Sequence, residues 1–476
     1  MSRTSDRRSL ATFAALALLV AGLLASLRSS NNEYGRQLYR ARLHASKSER
    51  TAAVASYRKA ARLRPEDPLP YLELTEVYLD WGRWDEARDA VLQAERLGAG
   101  MARVERLSVW AHARSAETAT AERLAHWKAV VEHGEQLLGL EPEDRAVSRL
   151  LARAYLELRQ WSRARAVYED LVLSDPTDEV VRERLGALLL GLGEDAAAVE
   201  QLGSAGTELS SQLLGSLGDG LGVDNAAYVH TRLGRILMEH HEWALAARHL
   251  ERAVQTCPSY ADARAYLGHA LDKMGYRDEA ESHLLKAVGL APKTPVGYIF
   301  LGLHFDRWGD ISAARAAYET AYDLQPDSAA VCAEIGQTWA AEGRYVAAEI
   351  WLREAVTLGP SDPTLWEALT SFYVNNSVVS DDRGLEAAER LLALAPDSAR
   401  GHELRGWIAF QAGRYEDAER YLRRAIELDP QLASAYYHLG LLRSEQGKIK
   451  EAESAFRRAV DLDTTGSLAP LVERVN

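Results

Sequence analysis

The chain has 476 residues, 47% hydrophobic and 26% charged, which excludes a wholly disordered protein because enough apolar surface is present to build a core. Its 56 Lys and Arg against 69 Asp and Glu give a net charge of −13, which argues against sequence-independent nucleic-acid binding. Two cysteines exclude a disulfide framework and a four-thiolate zinc site. Aromatic usage is skewed, with 11 Trp and 20 Tyr against 6 Phe.

An apolar run near the N-terminus predicts a membrane anchor. Leu10–Leu27 contains 18 uncharged residues, and a helix of that length is about 27 Å long, close to the hydrocarbon thickness of a bilayer. Arg3, Arg7 and Arg8 precede the run and favour a cytoplasmic N-terminal tail at 1–9. We therefore expect a single-pass protein of the inner (cytoplasmic) membrane, with the body outside the cytoplasm.

Two alternatives to this anchor remain open. A cleaved signal peptide would leave a soluble periplasmic or secreted body, but its apolar core is shorter, about 7–15 residues, and needs small residues at −3 and −1. With Ala25 or Ser26 at −1, a leucine stands at −3. A reversed or cytoplasmic body is the other alternative, because four arginines follow the run: Arg28, Arg36, Arg40 and Arg42.

A repeat fills the rest of the chain. Glycines recur with a spacing of 34 residues at Gly234, Gly268, Gly302 and Gly336, and the series resumes after a two-residue shift at Gly406 and Gly440. Alanines follow 12 and 19 residues after each glycine, and prolines close the repeats. Such self-similarity indicates stacked supersecondary units rather than the three domains that length alone would suggest.

Each repeat is predicted to be a pair of helices. Tyr298, Leu301 and Phe305 have helical spacing, and a glycine such as Gly309 then marks the turn, where it permits the left-handed backbone that ends a helix. The glycine and alanine columns allow the paired helices to approach closely, while large aromatic residues fill the remaining gaps. Proline stops the second helix because it lacks an N–H group.

The pattern Tyr298-x2-Leu301-Gly302-x2-Phe305, Ala314-x3-Tyr318-x2-Ala321 and Pro326 resembles the signature of the tetratricopeptide repeat family. The resemblance implies an all-α, right-handed superhelical solenoid of about twelve helix pairs. About five pairs fall in 34–202, where the repeat is looser, and about seven in 227–466.

Three segments depart from the repeat. Residues 203–226 are rich in Gly, Ser and Leu and are expected to form a loop or hinge, with a short helix near Glu208–Leu217. Asn375–Gly384 lengthens one inter-helix turn. Residues 467–476 keep helical spacing at Leu468, Leu471, Val472 and Val475, and are predicted to cap the final repeat.

Motifs for catalysis are incomplete, so no catalytic, cofactor-binding or metal-binding residue is predicted. Gly191–Ala196 satisfies a dinucleotide-binding pattern but lies in an inter-helix turn rather than after a strand. His241-Glu242 and His402-Glu403 begin like a zinc-protease helix, yet the second histidine is missing from both. A metal-dependent enzyme using His240 and His241 remains a remote alternative.

The resemblance implies that the first helix of each repeat lines a concave groove, with its second, fifth, ninth and twelfth residues facing a partner. Exposed aromatic residues there favour a protein or peptide partner. The predicted groove residues are Val296, Ile299, Leu303, Trp407, Phe410, Tyr437 and Leu441. An alternative is that the register is off by one, or that neighbouring helices cover these side chains.

Taken together, the sequence predicts a non-catalytic, membrane-tethered scaffold that gathers protein partners for assembly or export of a component of a bacterial-type cell envelope. No nucleic acid and no small-molecule substrate is expected. The main alternative is a soluble or exported adaptor or regulator whose N-terminal run is cleaved.

Overall fold

The computed structural model describes residues 32–220, 226–376 and 381–475, and within these ranges the regular elements are α-helices. Ten helices precede the predicted insert: α1 (32–46), α2 (Arg50–Leu63), α3 (Leu69–Trp81), α4 (Trp84–Arg96), α5 (Met101–Thr118), α6 (Arg123–Leu140), α7 (Arg145–Glu157), α8 (Trp161–Ser174), α9 (Glu179–Leu192) and α10 (Asp195–Ala205).

The remaining helices run from the insert to the C-terminal end. They are α11 (Glu208–Gly220), α12 (Ala226–Glu239), α13 (Trp243–Thr256), α14 (Ala261–Met274), α15 (Arg277–Leu290), α16 (Pro295–Arg307), α17 (Ile311–Leu324), α18 (Ala329–Ala341), α19 (Tyr345–Leu358), α20 (Pro363–Asn376), α21 (Asp381–Leu394), α22 (Ala399–Gln411), α23 (Tyr415–Leu428), α24 (Ala433–Glu445), α25 (Ile449–Leu462) and α26 (Leu468–Val475).

The described helices form twelve consecutive pairs, five before α11 and seven from α12 to α25. This confirms the predicted all-α class and the predicted number of helix pairs. Each pair consists of a first helix followed by a second helix. The loosely repeating N-terminal part also forms such pairs, among them α5 and α6.

The chain divides into two compact units. The terminal unit comprises Met1–Ala111 and Val460–Asn476, of which 32–111 and 460–475 are described, and the central unit comprises His112–Ala459. The core of the terminal unit is built on aromatic residues of α2 and α3, Tyr57, Tyr78 and Trp81, which are at most 4% exposed. The central unit holds a larger core running from α7 through α15.

Close helix approach explains the glycine column of the central unit. A Cβ atom added at Gly268 would lie 2.6 Å from Cγ of Leu284 and 3.1 Å from the carbonyl oxygen of Ala280. Gly234 faces Leu250 and Gly336 faces Leu352 in the same manner. The alanine columns lie on the opposing second helices and are no more than 3% exposed. Small residues therefore set the spacing within each helix pair.

Left-handed backbone marks the turn between the paired helices. Gly275 and Gly309 have φ of +88° and +83°, as expected for residues that end a first helix. His241 and Arg159 stand at equivalent turns with φ of +60° and +57°, a region that side chains disfavour. His241 thus stands at the turn position that glycine occupies in neighbouring repeats.

The segment predicted as a loop or hinge at 203–226 is largely helical over its described residues. α10 continues to Ala205, and α11 spans Glu208–Gly220, longer than the predicted short helix. Thr207 Oγ1 accepts a hydrogen bond of 3.1 Å from the Ser210 amide, which caps α11. Leu209 and Leu213, one turn apart, are at most 5% exposed. This apolar stripe explains why the segment folds despite its glycines.

Direct contacts between α9 and α13 bridge the repeats on either side of α11. Nε2 of His249 lies 3.1 Å from the Ala187 carbonyl oxygen, and Arg252 donates to the Leu190 carbonyl at 2.9 Å. Arg184 donates to Glu242 at 2.7 Å. The two sets of repeats therefore pack on each other within the central unit, without depending on α11 alone.

The other two departures from the repeat are the lengthened turn and the C-terminal segment. Asn376 still belongs to α20 and Asp381 already belongs to α21, so the lengthened turn is restricted to 377–380, which lie outside the described residues. A helix forms at Leu468–Val475, as predicted for the C-terminal segment, with Leu471 38% exposed.

The predicted anchor at 10–27 and the tail at 1–9 lie outside the described residues. In the part of the chain that the structure does describe, no helix combines the length and the apolar character needed to cross a bilayer.

Candidate partner-binding face

First helices of successive repeats pack side by side in the central unit. α12 contacts α14 and α14 contacts α16, and the same relationship joins α18, α20, α22 and α24. We call the surface formed by these helices the first-helix face. It presents side chains of consecutive repeats in a row, as a binding surface for an elongated partner requires.

The predicted residues of α16 are partly buried. Val296, Ile299 and Leu303 each keep some exposure. Ile299 and Leu303 pack against the cluster formed by Tyr318 and Ile335 of the adjoining helices. These two side chains therefore contribute to packing between repeats as well as to the face, which is the alternative that the sequence left open.

The predicted aromatic residues of α22 and α24 come together around His438. The Trp407 ring stacks on Phe410 with centroids 5.0 Å apart and on His438 with centroids 4.1 Å apart. Tyr437 lies 5.7 Å from the His438 ring and 5.8 Å from Phe456. Trp407, Phe410 and Tyr437 are each partly buried, as is the neighbouring Leu441. The structure thus places the C-terminal part of the predicted site in one cluster.

A buried carboxylate holds this cluster in place. Oε1 of Glu403, which is fully buried, lies 2.6 Å from Nδ1 of His438, and Glu403 also pairs with Arg400. Burial on its own would raise the pKa of Glu403, but His438 and Arg400 together hold it below its ordinary value. The Glu403 carboxylate therefore helps to fix the His438 imidazole that stacks on Trp407.

Two further stacks on the first-helix face resemble that of Trp407 and His438. In each of the three, the two stacked residues are 31 positions apart in the chain. The Arg235 guanidinium lies 5.3 Å from the Tyr266 ring centroid, and the rings of His269 and Phe300 stack at 4.4 Å. In each case the ninth residue of one repeat packs a planar group on the sixth residue of the next. Planar groups stacked in this manner stabilise neighbouring helices and present flat apolar surface.

Sequence reasoning missed the sixth position of the repeat. It considered only the second, fifth, ninth and twelfth residues, and so omitted Tyr266, Phe300 and His438. A signal was available, since an aromatic or imidazole ring stands at the sixth position in three of the seven C-terminal repeats. The partner of each ring, however, depends on contact between repeats, which the sequence of a single repeat does not contain.

His269, on the first-helix face, is neutral at neutral pH. His269 is 9% exposed, and desolvation by burial lowers its pKa to about 4, with Lys273 contributing in the same direction. At neutral pH the His269–Phe300 stack therefore joins two uncharged rings, whereas the Arg235–Tyr266 contact carries a permanent charge.

A cavity of about 600 Å³ opens where α11 adjoins the face. α12 and α14 supply three tyrosines, Tyr228, Tyr260 and Tyr266, together with the exposed Arg235. α11 contributes polar groups, among them Gln212. The cavity therefore combines aromatic walls with hydrogen-bonding groups, a composition that suits a peptide side chain.

A second cavity, of about 510 Å³, lies between α18 and α20. Its walls are rich in amides and hydroxyls, including Gln337, Ser371 and Asn375. Gln337 and Ser371 follow Leu303 at successive intervals of 34 residues, so they occupy the predicted ninth position of their repeats. Both cavities are thus lined at the register that the family resemblance implied.

The His240 and His241 region has the features of a surface turn. His240 Nε2 lies 3.1 Å from Oε1 of Gln212, and the His241 ring is 5.7 Å from Trp243. Among the residues in 32–220, 226–376 and 381–475, no group of three or more His, Cys, Asp or Glu side chains is arranged to hold a metal ion.

Comparison with known proteins identifies the repeats. Two sequence models of the tetratricopeptide repeat match the chain, one at 231–295, 301–363, 382–433 and 409–467 and the other at 127–188, together more than half of its length. The cell division cycle protein 16 homologues of Homo sapiens and Mus musculus are 25% identical over 200 residues, which are 40% of this chain. The chain spans about a third of the length of these curated relatives, 32% in each case.

Solved structures also resemble this chain. The APC/C hetero-tetramer Cut9–Hcn1 contains a chain that is 16% identical, with 93% of this chain and 96% of that chain covered and a TM-score of 0.41. Yeast Tom70 is 16% identical, with 94% and 96% covered and a TM-score of 0.40. From its matched repeats and its twelve helix pairs, the chain belongs to the tetratricopeptide repeat family.

Proposed function

We propose that this protein is a scaffold that binds protein partners along the first-helix face of its central unit. The observation that carries the proposal is the set of three stacks of planar side chains on this face, the last of which joins Trp407 and His438. Rigid helices hold these groups in fixed positions, so a partner binds them without a large cost in ordering.

The face suits an extended or helical peptide segment. Trp407, Phe410 and Tyr437 offer apolar surface at one end, and the cavities lined by Tyr266 and Gln337 lie further along the row. Aromatic side chains dominate the binding energy of many interfaces, and amide and hydroxyl groups satisfy the backbone of a bound segment. Affinity is therefore expected to concentrate at the aromatic end.

We further propose that residues 10–27 tether the scaffold to the inner membrane, with the repeats outside the cytoplasm. The support is the uncharged run of 18 residues and the arginines that precede it. A tether would restrict partners to those near the membrane surface, as expected for assembly or export of an envelope component.

A quantitative pull-down tests partner binding. Trp407→Ala in the full-length chain is expected to reduce the recovery of proteins that the parent captures from solubilised membranes by about tenfold, because an aromatic anchor contributes roughly 1–2 kcal/mol or more. Ile350→Ala is the matched control, since Ile350 lies on the second helix α19 and is 64% exposed. Equal recovery by the parent and Trp407→Ala would contradict binding at this face.

Cell fractionation tests the tether separately. The intact chain is expected in the membrane fraction and to resist extraction by high salt, whereas a variant lacking residues 1–31 is expected in the soluble fraction. Recovery of the wild-type protein as a soluble species, shortened by about 25 residues, would replace the tether with a cleaved signal peptide and support the adaptor alternative.

A further inference from the structure

The C-terminal end of the chain supplies a missing cap to the N-terminal helix α2. Glu49 is the N-cap residue of α2, but its side chain does not cap the helix. The amide of Thr51 instead donates to Oδ1 of Asp461 at 2.9 Å, and the Thr51 hydroxyl donates to the same oxygen. These two residues are 410 positions apart in the chain. Asp461 therefore performs the role of an N-cap residue from the far end of the chain.

Charge favours this arrangement. The first turn of a helix carries a partial positive charge, so a carboxylate placed there is stabilised. α2 has no acidic residue in its own first turn, and Asp461 is 5% exposed. The carboxylate is thus both sheltered from solvent and placed at the end of α2 that attracts it.

Arg50 makes the reciprocal contact. Its Nη1 donates to the Asp461 carbonyl oxygen at 2.9 Å, and its Nη2 donates to the Asp80 carbonyl oxygen at 3.1 Å. Both carbonyls lie in the last turn of a helix, of α25 and α3 respectively, where carbonyl groups lack partners within the helix. One guanidinium therefore ties the start of α2 to the ends of two other helices.

Two glycines, Gly82 and Gly466, also lie at this contact. A Cβ atom at Gly82 would lie 2.9 Å from Cγ2 of Thr464, and one at Gly466 would lie 2.9 Å from the Arg83 guanidinium. Both glycines have positive φ, +80° and +75°. A methyl group at Gly82 would press against the Thr464 side chain, and one at Gly466 would require the flexible Arg83 side chain to move.

The C-terminal segment is itself pre-shaped for the contact. Asp463 accepts hydrogen bonds from the Thr465 amide at 2.9 Å and from the Leu468 amide at 2.8 Å, which fixes the turn that leads into α26. Burial alone would raise the pKa of Asp463, but these amide donors hold it below its ordinary value. The turn is therefore held in one shape at neutral pH.

We infer that residues Val460–Val475 form an intramolecular clasp that caps α2 and holds the N-terminal helices α2 and α3. End repeats of a helical array are ordinarily the least stable, because they have a neighbour on one side only. The clasp gives the first repeat a second neighbour. This property is independent of any partner bound at the first-helix face.

Hydrogen exchange of the full-length chain tests the clasp. Asp461→Ala is expected to accelerate exchange of the α2 amides about fivefold or more, in line with the loss of an N-cap. Asp310→Ala is the matched control, because Asp310 caps α17 locally by accepting from the Ala313 amide at 3.0 Å and from the Ser312 hydroxyl. The control should accelerate exchange in α17 and leave α2 unchanged.

Three results would overturn the inference. The first is α2 protection in Asp461→Ala equal to that of the parent. The second is α2 protection that falls on dilution of the parent, since this would show that the contact forms between two copies of the chain. The third is full additivity of Thr51→Val and Asp461→Ala, because residues that share a hydrogen bond should be coupled. Asp461→Asn, which keeps the acceptor oxygen, is expected to retain part of the protection and guards against a general folding defect.

Discussion

Trp407 and His438 stack with their ring centroids 4.1 Å apart, and Oε1 of the buried Glu403 lies 2.6 Å from Nδ1 of the same imidazole. The two rings belong to successive first helices, so their contact both joins two repeats and forms part of the proposed binding face. These two roles make different demands on the two side chains.

Substituting Trp407 and His438 one at a time should separate the effect of this stack on folding stability from its effect on partner binding. Trp407→Leu removes a ring contact worth about 0.5–1.5 kcal/mol and should weaken partner binding more than it weakens the fold. His438→Leu leaves Glu403 buried without its imidazole neighbour and should lower the free energy of unfolding by about 2–3 kcal/mol. Urea denaturation of both variants measures the stability effect, and partner affinity measures the other. A larger stability loss in Trp407→Leu than in His438→Leu would contradict this division.

Gly268→Ala should destabilise the central unit by about 1–3 kcal/mol, because the added methyl group would overlap Leu284 and approach the Ala280 carbonyl oxygen. Gly289→Ala is the control. Gly289 lies within α15 and has no atom within 4 Å of the added group, so alanine there should be neutral or stabilise by up to about 1 kcal/mol. Urea midpoints measure both effects, and the same sign in the two variants would count against close packing as the reason for the glycine column.

His241→Gly should stabilise the protein by about 0.5–1 kcal/mol, because glycine adopts the φ of +60° found there without the steric cost of a side chain. Arg159→Gly relieves a similar strain at φ +57° but removes ion pairs of 2.6 Å with Glu251 and with Glu279. It should therefore be neutral or destabilising. Thermal midpoints of the two variants compare the effects, and a lower midpoint for His241→Gly would refute the strain argument.

A buried histidine pair should make stability depend on pH. Nε2 of His249 donates to the Ala187 carbonyl, which leaves its Nδ1 to accept from Nδ1 of His230 at 3.0 Å. Desolvation lowers the pKa of His230 to about 4 and of His249 to about 3, with each further lowered by nearby positive or imidazole groups. Both rings are therefore neutral in the folded protein at the pH values at which the unfolded chain takes up protons.

The sign of the effect follows from this difference in proton uptake. Below about pH 6.5 the unfolded state binds protons that the folded state excludes, so stability is full above that pH and is lost as the pH falls toward about 4. His230→Leu should reduce the slope of unfolding free energy against pH, measured between pH 5 and 6, by about 1 kcal/mol per pH unit. A variant slope equal to that of the parent would show that His230 does not contribute.

Local sequence signals predicted most of the fold. Residues equivalent to Gly268 and Ala280 recur at fixed positions because each helix pair repeats the same close contact. The spacing of glycine and alanine along the sequence was therefore enough to predict how the paired helices pack. The same columns explain the turn at His241, which stands where neighbouring repeats have glycine. The same columns marked the repeats from Gly234 onward, and the family resemblance extended the count to the looser N-terminal part.

Contacts between distant residues could not be predicted in this manner. α11 lacks the repeat columns, so its burial through Leu209 and Leu213 appears only once α9 and α12 are in place around it. For the proposed binding face, the position of Trp407 within its repeat could be predicted from the sequence. Its stacking partner could not, because His438 belongs to the next repeat. The hydrogen bond between Thr51 and Asp461 could not be predicted from any local pattern, because the two residues are 410 positions apart.

That last pairing has a consequence for synthesis of the protein. Translation proceeds from the N-terminus at about 5–20 residues per second, so the 410 residues between Thr51 and Asp461 take roughly 20–80 s to make. During that interval α2 has emerged from the ribosome without its cap. The helix α2 therefore reaches its final stability only after Asp461 has been made and released, and a chain that stops before Asp461 would leave the start of α2 uncapped and open to proteolysis.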